Sequence, residues 1–379
     1  MAMQQRAFFY CLFLAGFKKE MTTYFIYNNV LLFVFLFGYL AEHLDRRIHQ
    51  LICRFIVFLA LFLPAAFRYE TGTDYGSYVR IFNHLNNHQN LEIGWLLINK
   101  TVRFLNLSVQ WIFIISAILI YYPICFITKR KNYFITVVLY VVLLFYFKSF
   151  NALRQMIAVS FLFWTFVRLK DKSYFMALIL VCIAYCFHTS ALFIVPLLLF
   201  CAFKINKSLY AVAIFLFGMS FLMKFNFLEL ALTIASALGL KYAKYAKSSF
   251  YTSKMPLGSG LGVMARLLFV LPPVFLCTKS CKNYGKTAIT NLALFYIFTY
   301  ICAAQFVILG RVRDLFIFIP LLIAGNSMKL TGRYKKIVLL AFLSINILLF
   351  ETDIKKQTRD TFSNSIYPYY SIFYEGQIK

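Results

Sequence analysis

The chain has 379 residues, 62% of them hydrophobic and 14% charged, with a formal net charge of +26. Soluble globular chains run near 45–50% apolar and about 25% charged, so a soluble enzyme, a disordered protein and a fibrous protein all fit poorly. The apolar residues fall in blocks near the length of a bilayer span and the basic residues sit mostly between them, which points to membrane topology and anionic lipid or phosphate partners, not nucleic acid.

The expected fold class is all-α: a polytopic transmembrane helical bundle of about twelve spans, with outward-facing amphipathic helices in two long loops. Residues 1–20 come first as a basic–apolar–basic extension whose block 7–17 is too short to cross a bilayer. Met21 opens a normal first span, so 1–20 is expected to stand outside the native fold or to lie along the membrane surface. Spans are then expected near 22–41, 51–67, 109–128, 133–148, 151–167, 173–187, 189–203, 208–223, 261–277, 287–305, 314–327 and 337–350. Residues 21–350 thus form the transmembrane domain and 351–379 an outward-facing C-terminal tail.

Every second connection is short and basic. These hold Arg46 and Arg47; Lys129, Arg130 and Lys131; Arg168, Lys170 and Lys172; Lys204 and Lys207; Lys279, Lys282 and Lys286; and Lys329, Arg333, Lys335 and Lys336. By the positive-inside rule they are cytoplasmic, and the remaining connections face outward. Two outward loops are long, near 68–108 and 224–260, and long loops without a span of their own are usually functional. In the first, Glu92, Asn99, Arg103 and Asn106 are expected on one helical face, with Trp95, Leu96, Ile98, Val102 and Leu105 on the rest. In the second, Glu229, Thr233 and Ser236 form a polar stripe, followed by Lys241, Lys244 and Lys247 between tyrosines.

Most of the nine cysteines lie inside apolar blocks. Cys182/Cys186 and Cys277/Cys281 share helix faces at i,i+4, but neither pair has a second pair beside it, so packing between helices is the better account than metal binding.

The outward side carries Arg68, Arg80, Arg103, Arg154, Arg266, Arg311 and Arg313, which topology does not explain. The planar guanidinium binds phosphate oxygens bidentately, so several arginines converging on one outward cavity would suit a pyrophosphate. The competing account is a set of local pairs: Arg68 with Glu70 or Asp74, and Arg311 or Arg313 with Asp314. In Arg68-Tyr69-Glu70-Thr71-Gly72-Thr73-Asp74-Tyr75, Gly72 permits a tight turn and Asp74 can cap the next helix. Asn151-Ala152-Leu153-Arg154-Gln155 stands at the outward mouth of a span. His188, in Phe187-His188-Thr189-Ser190-Ala191-Leu192 at an outward turn, can act as a general base on a sugar hydroxyl, although a lone histidine at a helix end is more often structural.

The combination resembles the EpsG/Wzy-type family of bacterial polysaccharide polymerases. The matching pieces are Arg68…Gly72-Thr73-Asp74-Tyr75 with Tyr78, Glu92-Ile93-Gly94-Trp95, Leu153-Arg154-Gln155-Met156-Ile157-Ala158, the segment around His188, Arg311-Val312-Arg313, and Tyr367-Pro368-Tyr369-Tyr370-Ser371-Ile372-Phe373. They run in order from residue 68 to residue 373; the loop 224–260 shows no motif of the family. The resemblance implies a multi-pass glycosyltransferase of the bacterial cytoplasmic membrane, working on its outer face. It would join polyprenyl-pyrophosphate-linked oligosaccharide donor and acceptor units into O-antigen, capsule or exopolysaccharide. No cofactor or metal is expected: the chain has no G-x-G-x-x-G element, no room for a Rossmann domain and no D-x-D motif. Membrane lipid and a chain-length regulator protein are the other implied partners.

On this view His188 or Asp74 removes the acceptor proton. Arg154, Arg311 and Arg313 hold the departing pyrophosphate, with Arg68 and Arg266 as further candidates. Tyr75, Trp95, Tyr369 and Tyr370 offer faces to the sugars, and Glu92 joins them on the sugar side. The rival class is a transporter or flippase of lipid-linked oligosaccharide. It would call for internal repeats and paired helix breaks, and the halves show no repeat and the prolines do not pair up. A ligase sharing the donor chemistry differs only in its acceptor.

Overall fold

The computed structural model describes residues 2–87, 91–195, parts of 291–322, residues 333–356 and residues 366–373. Two compact units divide the chain: Met1–Ala191 with Leu339–Lys379, and Leu192–Val338. The described residues are helical apart from turns and one isolated bridge, in agreement with the all-α expectation.

In the first unit the helices are α1 (Ala2–His43), α2 (Arg47–Ala66), α3 (Tyr75–Asn83), α4 (Ile93–Phe104), α5 (Gln110–Tyr122), α6 (Tyr133–Val142), α7 (Phe145–Lys148), α8 (Leu153–Lys170) and α9 (Tyr174–Phe187). A further helix, α10, runs over Arg333–Lys356. Among the described residues, three helical stretches are long and apolar enough to cross a membrane: Thr22–His43, Arg47–Ala66 and Gln110–Ile127. At 1.5 Å per residue the shortest of these covers about 27 Å, close to a bilayer's hydrocarbon core. The backbone of α1 continues unbroken from Ala2, so residues 2–20 extend the first span helically.

The expected span at 133–148 is two helices, not one. Leu144 adopts φ 66°, a left-handed conformation that a non-glycine residue resists, and it separates α6 from α7. The expected spans between 201 and 290 and the second long loop at 224–260 lie outside the described residues.

Burial follows sequence character. All of α6 except the half-buried Phe134 is buried, as are nearly all of the first eleven residues of α8, and α6 reads as apolar all round. Around them α1, α2 and α9 turn Phe25, Leu32, Phe35, Ile52, Phe55, Phe175 and Leu178 outward, an apolar exterior suited to lipid. Packing links α1 with α2 and α6, α5 with α2 and α8, and α9 with α8 and α4.

The loops segregate to two ends. At one end Arg130 donates to the carbonyls of Glu42 (2.9 Å) and Leu44 (2.7 Å), and Lys129 pairs with Asp171. The three basic connections of this unit therefore meet there. Buried Arg54 closes the same end, donating to the Thr128 carbonyl at 2.9 Å after the π-turn Pro123–Ile127. At the other end lie the 67–109 connection, the 149–153 turn, the turn after α9 and the chain's last described segment. Tyr69 N–H donates to the Tyr370 carbonyl (2.9 Å) and Ile372 N–H to the Phe67 carbonyl (3.0 Å), flanking the bridge between Arg68 and Ser371. Alternating loops thus sort as the charge pattern predicts.

In the second unit, Phe295 meets Phe316 edge-on at 4.8 Å, and Leu315–Ile319 are buried.

Candidate functional site

The end without the basic connections carries a charged cluster built from three separate segments. Its first member is Glu92, at the N-cap of α4, where a carboxylate is favoured by the helix dipole. Gly94 brings this turn against the end of α9: a Cβ there would lie 3.0 Å from the Cys186 carbonyl oxygen and 3.1 Å from the Phe187 ring. A larger residue would push Glu92 away from His188, the C-cap residue of α9.

Arg154 is the second residue of α8. A cation is disfavoured at a helix N-terminus, and Glu92 supplies the compensation: Arg154 Nη1 donates to Glu92 Oε2. The other carboxylate oxygen, Oε1, stands 4.0 Å from His188 Nδ1, within ion-pair range when the ring is protonated. Ser190 adds its hydroxyl to the same ring nitrogen at 3.1 Å. The carboxylate is the sheltered member, its side chain 15% exposed against 32% for Arg154 and 27% for His188.

Tyr78 supports this arrangement. Its hydroxyl accepts the Leu153 N–H at 2.9 Å, satisfying one of the open donors at the start of α8. Its ring leans on Trp95 at 5.1 Å. Burial, with the Asp74 carboxylate adding to it, pushes the Tyr78 phenol up to about 12, while Arg154 and Arg68 pull the other way. Asp74 is therefore within electrostatic reach of the cluster. It occupies the N-cap position of α3, as expected, but its side chain makes no capping hydrogen bond. Thr73 donates to Asn151 Oδ1 at 2.9 Å, tying the 71–75 turn to the start of α8. Gly72, at φ 103°, lets the two backbones touch: a Cβ would stand 2.5 Å from the Phe150 carbonyl oxygen.

Arg68 is placed differently. It is 1% exposed and lies between the rings of Phe113 and Phe150, 4.9 Å from each centroid. Its Nε and Nη2 have no hydrogen-bond partner among the described residues. Burial pulls its pKa down from the usual arginine value, and the surrounding Tyr121, Tyr78, Tyr75 and Tyr369 oppose this.

The candidate sugar-stacking rings are largely engaged. Tyr75 stacks on Phe113 at 4.7 Å, Trp95 is wholly buried, and Tyr369 is buried with its hydroxyl donating to the Pro64 carbonyl at 3.0 Å. Tyr370 is half-buried. On α4, Asn99 and Arg103 do not share a face: Asn99 is buried beside Trp95, Ile98 and Val102, whereas Arg103 is exposed. The Asn99 amide nitrogen donates to the Trp95 carbonyl at 2.8 Å, while its Oδ1 has no hydrogen-bond partner among the described residues. Exposed Ile93, Leu97 and Phe104 form a second apolar stripe, so α4 is apolar on two sides.

Arg313, in the second unit, is paired with its neighbour Asp314 at 2.7 Å, one of the local pairs expected from sequence. Arg266 and Arg311 lie outside the described residues. Among the described residues no three His, Cys, Asp or Glu side chains gather as a metal site requires.

Tyr78, Gly94 and Ser190 carry no role that sequence alone assigns. Each has a local signal: Tyr78 falls one helical turn after Asp74, Gly94 comes two residues after an acidic residue at a helix start, and Ser190 stands two residues after His188.

The profile of the EpsG family matches residues 51–371, which include every member of the cluster. With the apolar helices, this makes the chain a membrane protein related to polysaccharide polymerases. No curated protein and no solved structure matches it.

Proposed function

From the premise that the chain belongs to the EpsG family, we propose that it is a membrane glycosyltransferase that polymerises polyprenyl-pyrophosphate-linked oligosaccharide units on the outer face of the bacterial cytoplasmic membrane. The observation that supports this is the Glu92–Arg154–His188 cluster, which sets a guanidinium, a group suited to phosphate, near a candidate base at one end of the helical unit.

The acceptor hydroxyl oxygen attacks the anomeric carbon of the donor sugar and forms the new glycosidic bond. The bond from that carbon to the pyrophosphate oxygen breaks, and the lipid pyrophosphate leaves with the electron pair. Arg154 receives the developing negative charge; removing one such stabilising donor costs about 10²–10³ in rate. His188 takes the acceptor proton, and Asp74 is the alternative base. Arg68, clamped between Phe113 and Phe150, fixes the 67–71 segment against α5 and the 149–153 turn and adds positive potential. Tyr370, half-buried, is the candidate sugar-stacking ring that keeps some exposure.

The test is polymer length in cells carrying Arg154→Ala or His188→Gln, with protein level confirmed. Both are expected to lose long polymer. Full-length polymer with Arg154→Ala removes the leaving-group assignment, and with His188→Gln removes the base.

A further inference from the structure

We propose that Glu92 is a resident anion on Arg154: an anionic ligand binds the guanidinium in competition with this carboxylate, which stays beside His188. The inference rests on the assignment of Arg154 to the pyrophosphate.

Three observations support it. Glu92 pairs with Arg154 Nη1 through Oε2 while Oε1 faces His188 Nδ1 at 4.0 Å, so one carboxylate serves both side chains of the cluster. The turn carrying the carboxylate is held in place, since Gly94, the second residue of the helix it caps, packs closely against Cys186 and Phe187. Arg154 is the longer and more exposed partner, and a guanidinium keeps further donors for a second anion. Partner exchange is therefore a movement of Arg154, with Glu92 remaining where it stands.

The exchange has a chemical consequence. With the site empty, Glu92 balances the partly buried arginine. Once Arg154 turns to a diphosphate, Glu92 is left facing the His188 ring, 4.0 Å from Nδ1. A histidine that accepts the acceptor proton then becomes an imidazolium beside a free carboxylate. In this scheme Glu92 acts through Arg154 and His188, so it is a positioning residue.

The experiment uses the purified full chain in lipid nanodiscs, with inorganic pyrophosphate as the probe and calorimetry as the readout. Glu92→Gln, which removes the competing charge, is expected to bind pyrophosphate at least about tenfold tighter than wild type, the scale of one charge-assisted hydrogen bond. Arg154→Ala is expected to abolish binding with or without that change. Glu92→Asp, shortened by one methylene, is expected to fall between, and it carries the test if Glu92→Gln does not fold by thermal unfolding. A merely structural role for Glu92 would weaken binding, not tighten it. Equal or weaker binding by the Glu92 variants, with Arg154→Ala still abolishing it, overturns the resident anion and leaves the pyrophosphate assignment standing. Binding indifferent to Arg154→Ala, or absent from every protein, overturns both.

Discussion

Gly94 and Cys186 meet backbone to backbone: a Cβ on Gly94 would lie 3.0 Å from the Cys186 carbonyl oxygen. This contact sets the distance between the turn carrying Glu92 and the turn carrying His188. A carbonyl within a helix cannot move aside as a flexible side chain would. Gly94→Ala is therefore expected to destabilise the protein by about 1–3 kcal/mol, the usual cost of overpacking. Thermal unfolding in detergent measures this, and shortened polymer in cells accompanies it. An unchanged unfolding midpoint would show that α4 and α9 can part without cost.

Gly72 is under a harder constraint. Its φ of 103° and the 2.5 Å approach of a Cβ to the Phe150 carbonyl oxygen act together. Backbone strain alone is worth about 1–3 kcal/mol, and the clash adds to it. Gly72→Ala is expected to lower the amount of folded protein more than Gly94→Ala does, measured by fluorescence-detected size exclusion.

Tyr78 predicts a pH dependence. Its phenol, pushed up to about 12 by burial, stays protonated in the fold well above the ordinary tyrosine value of 10.0. A raised folded-state value means that the folded chain holds the proton more tightly. The contribution is thus complete below pH 10 and lost as pH rises toward 12. Tyr78→Phe removes this part of the alkaline loss, read by comparing unfolding midpoints at pH 8 and pH 11. It also removes one of the two acceptors of the Leu153 N–H, the Asn151 carbonyl at 2.7 Å being the other, expected to cost no more than about 1 kcal/mol at neutral pH.

The two ends of the first unit predict a reporter pattern. Alkaline phosphatase, which is active only outside the cytoplasm, is expected to be active when fused after Asn106 and inactive after Lys131 or Asp171. The reverse pattern would invert the assigned orientation. Activity at all three sites would contradict the sorting made by the Arg130–Leu44 and Lys129–Asp171 contacts.

Much of the architecture was legible because it rests on local rules. Apolar blocks of span length become helices whether or not their neighbours are known, and Arg46, Arg130 and Lys170 mark one end by charge alone. The break at Leu144 was not legible: Val141-Val142-Leu143-Leu144 has no glycine or proline, and only surrounding packing holds a leucine at φ 66°. The polar face expected on α4 fails for a related reason. Asn99 looks like a surface residue until the Trp95 carbonyl one turn earlier takes up its amide.

Composition and order of residues alone determined that this chain is a helical membrane protein with arginines and a histidine near its loop ends, since transfer of apolar side chains from water is decided residue by residue. Which charges meet was decided by the tertiary structure. Arg68 and Arg154 look alike in sequence, yet one is sealed between Phe113 and Phe150 and the other reaches Glu92, 62 residues earlier in the chain. An ion pair depends on separation in space, and helix packing at Gly72 and Gly94, not position along the chain, sets that separation.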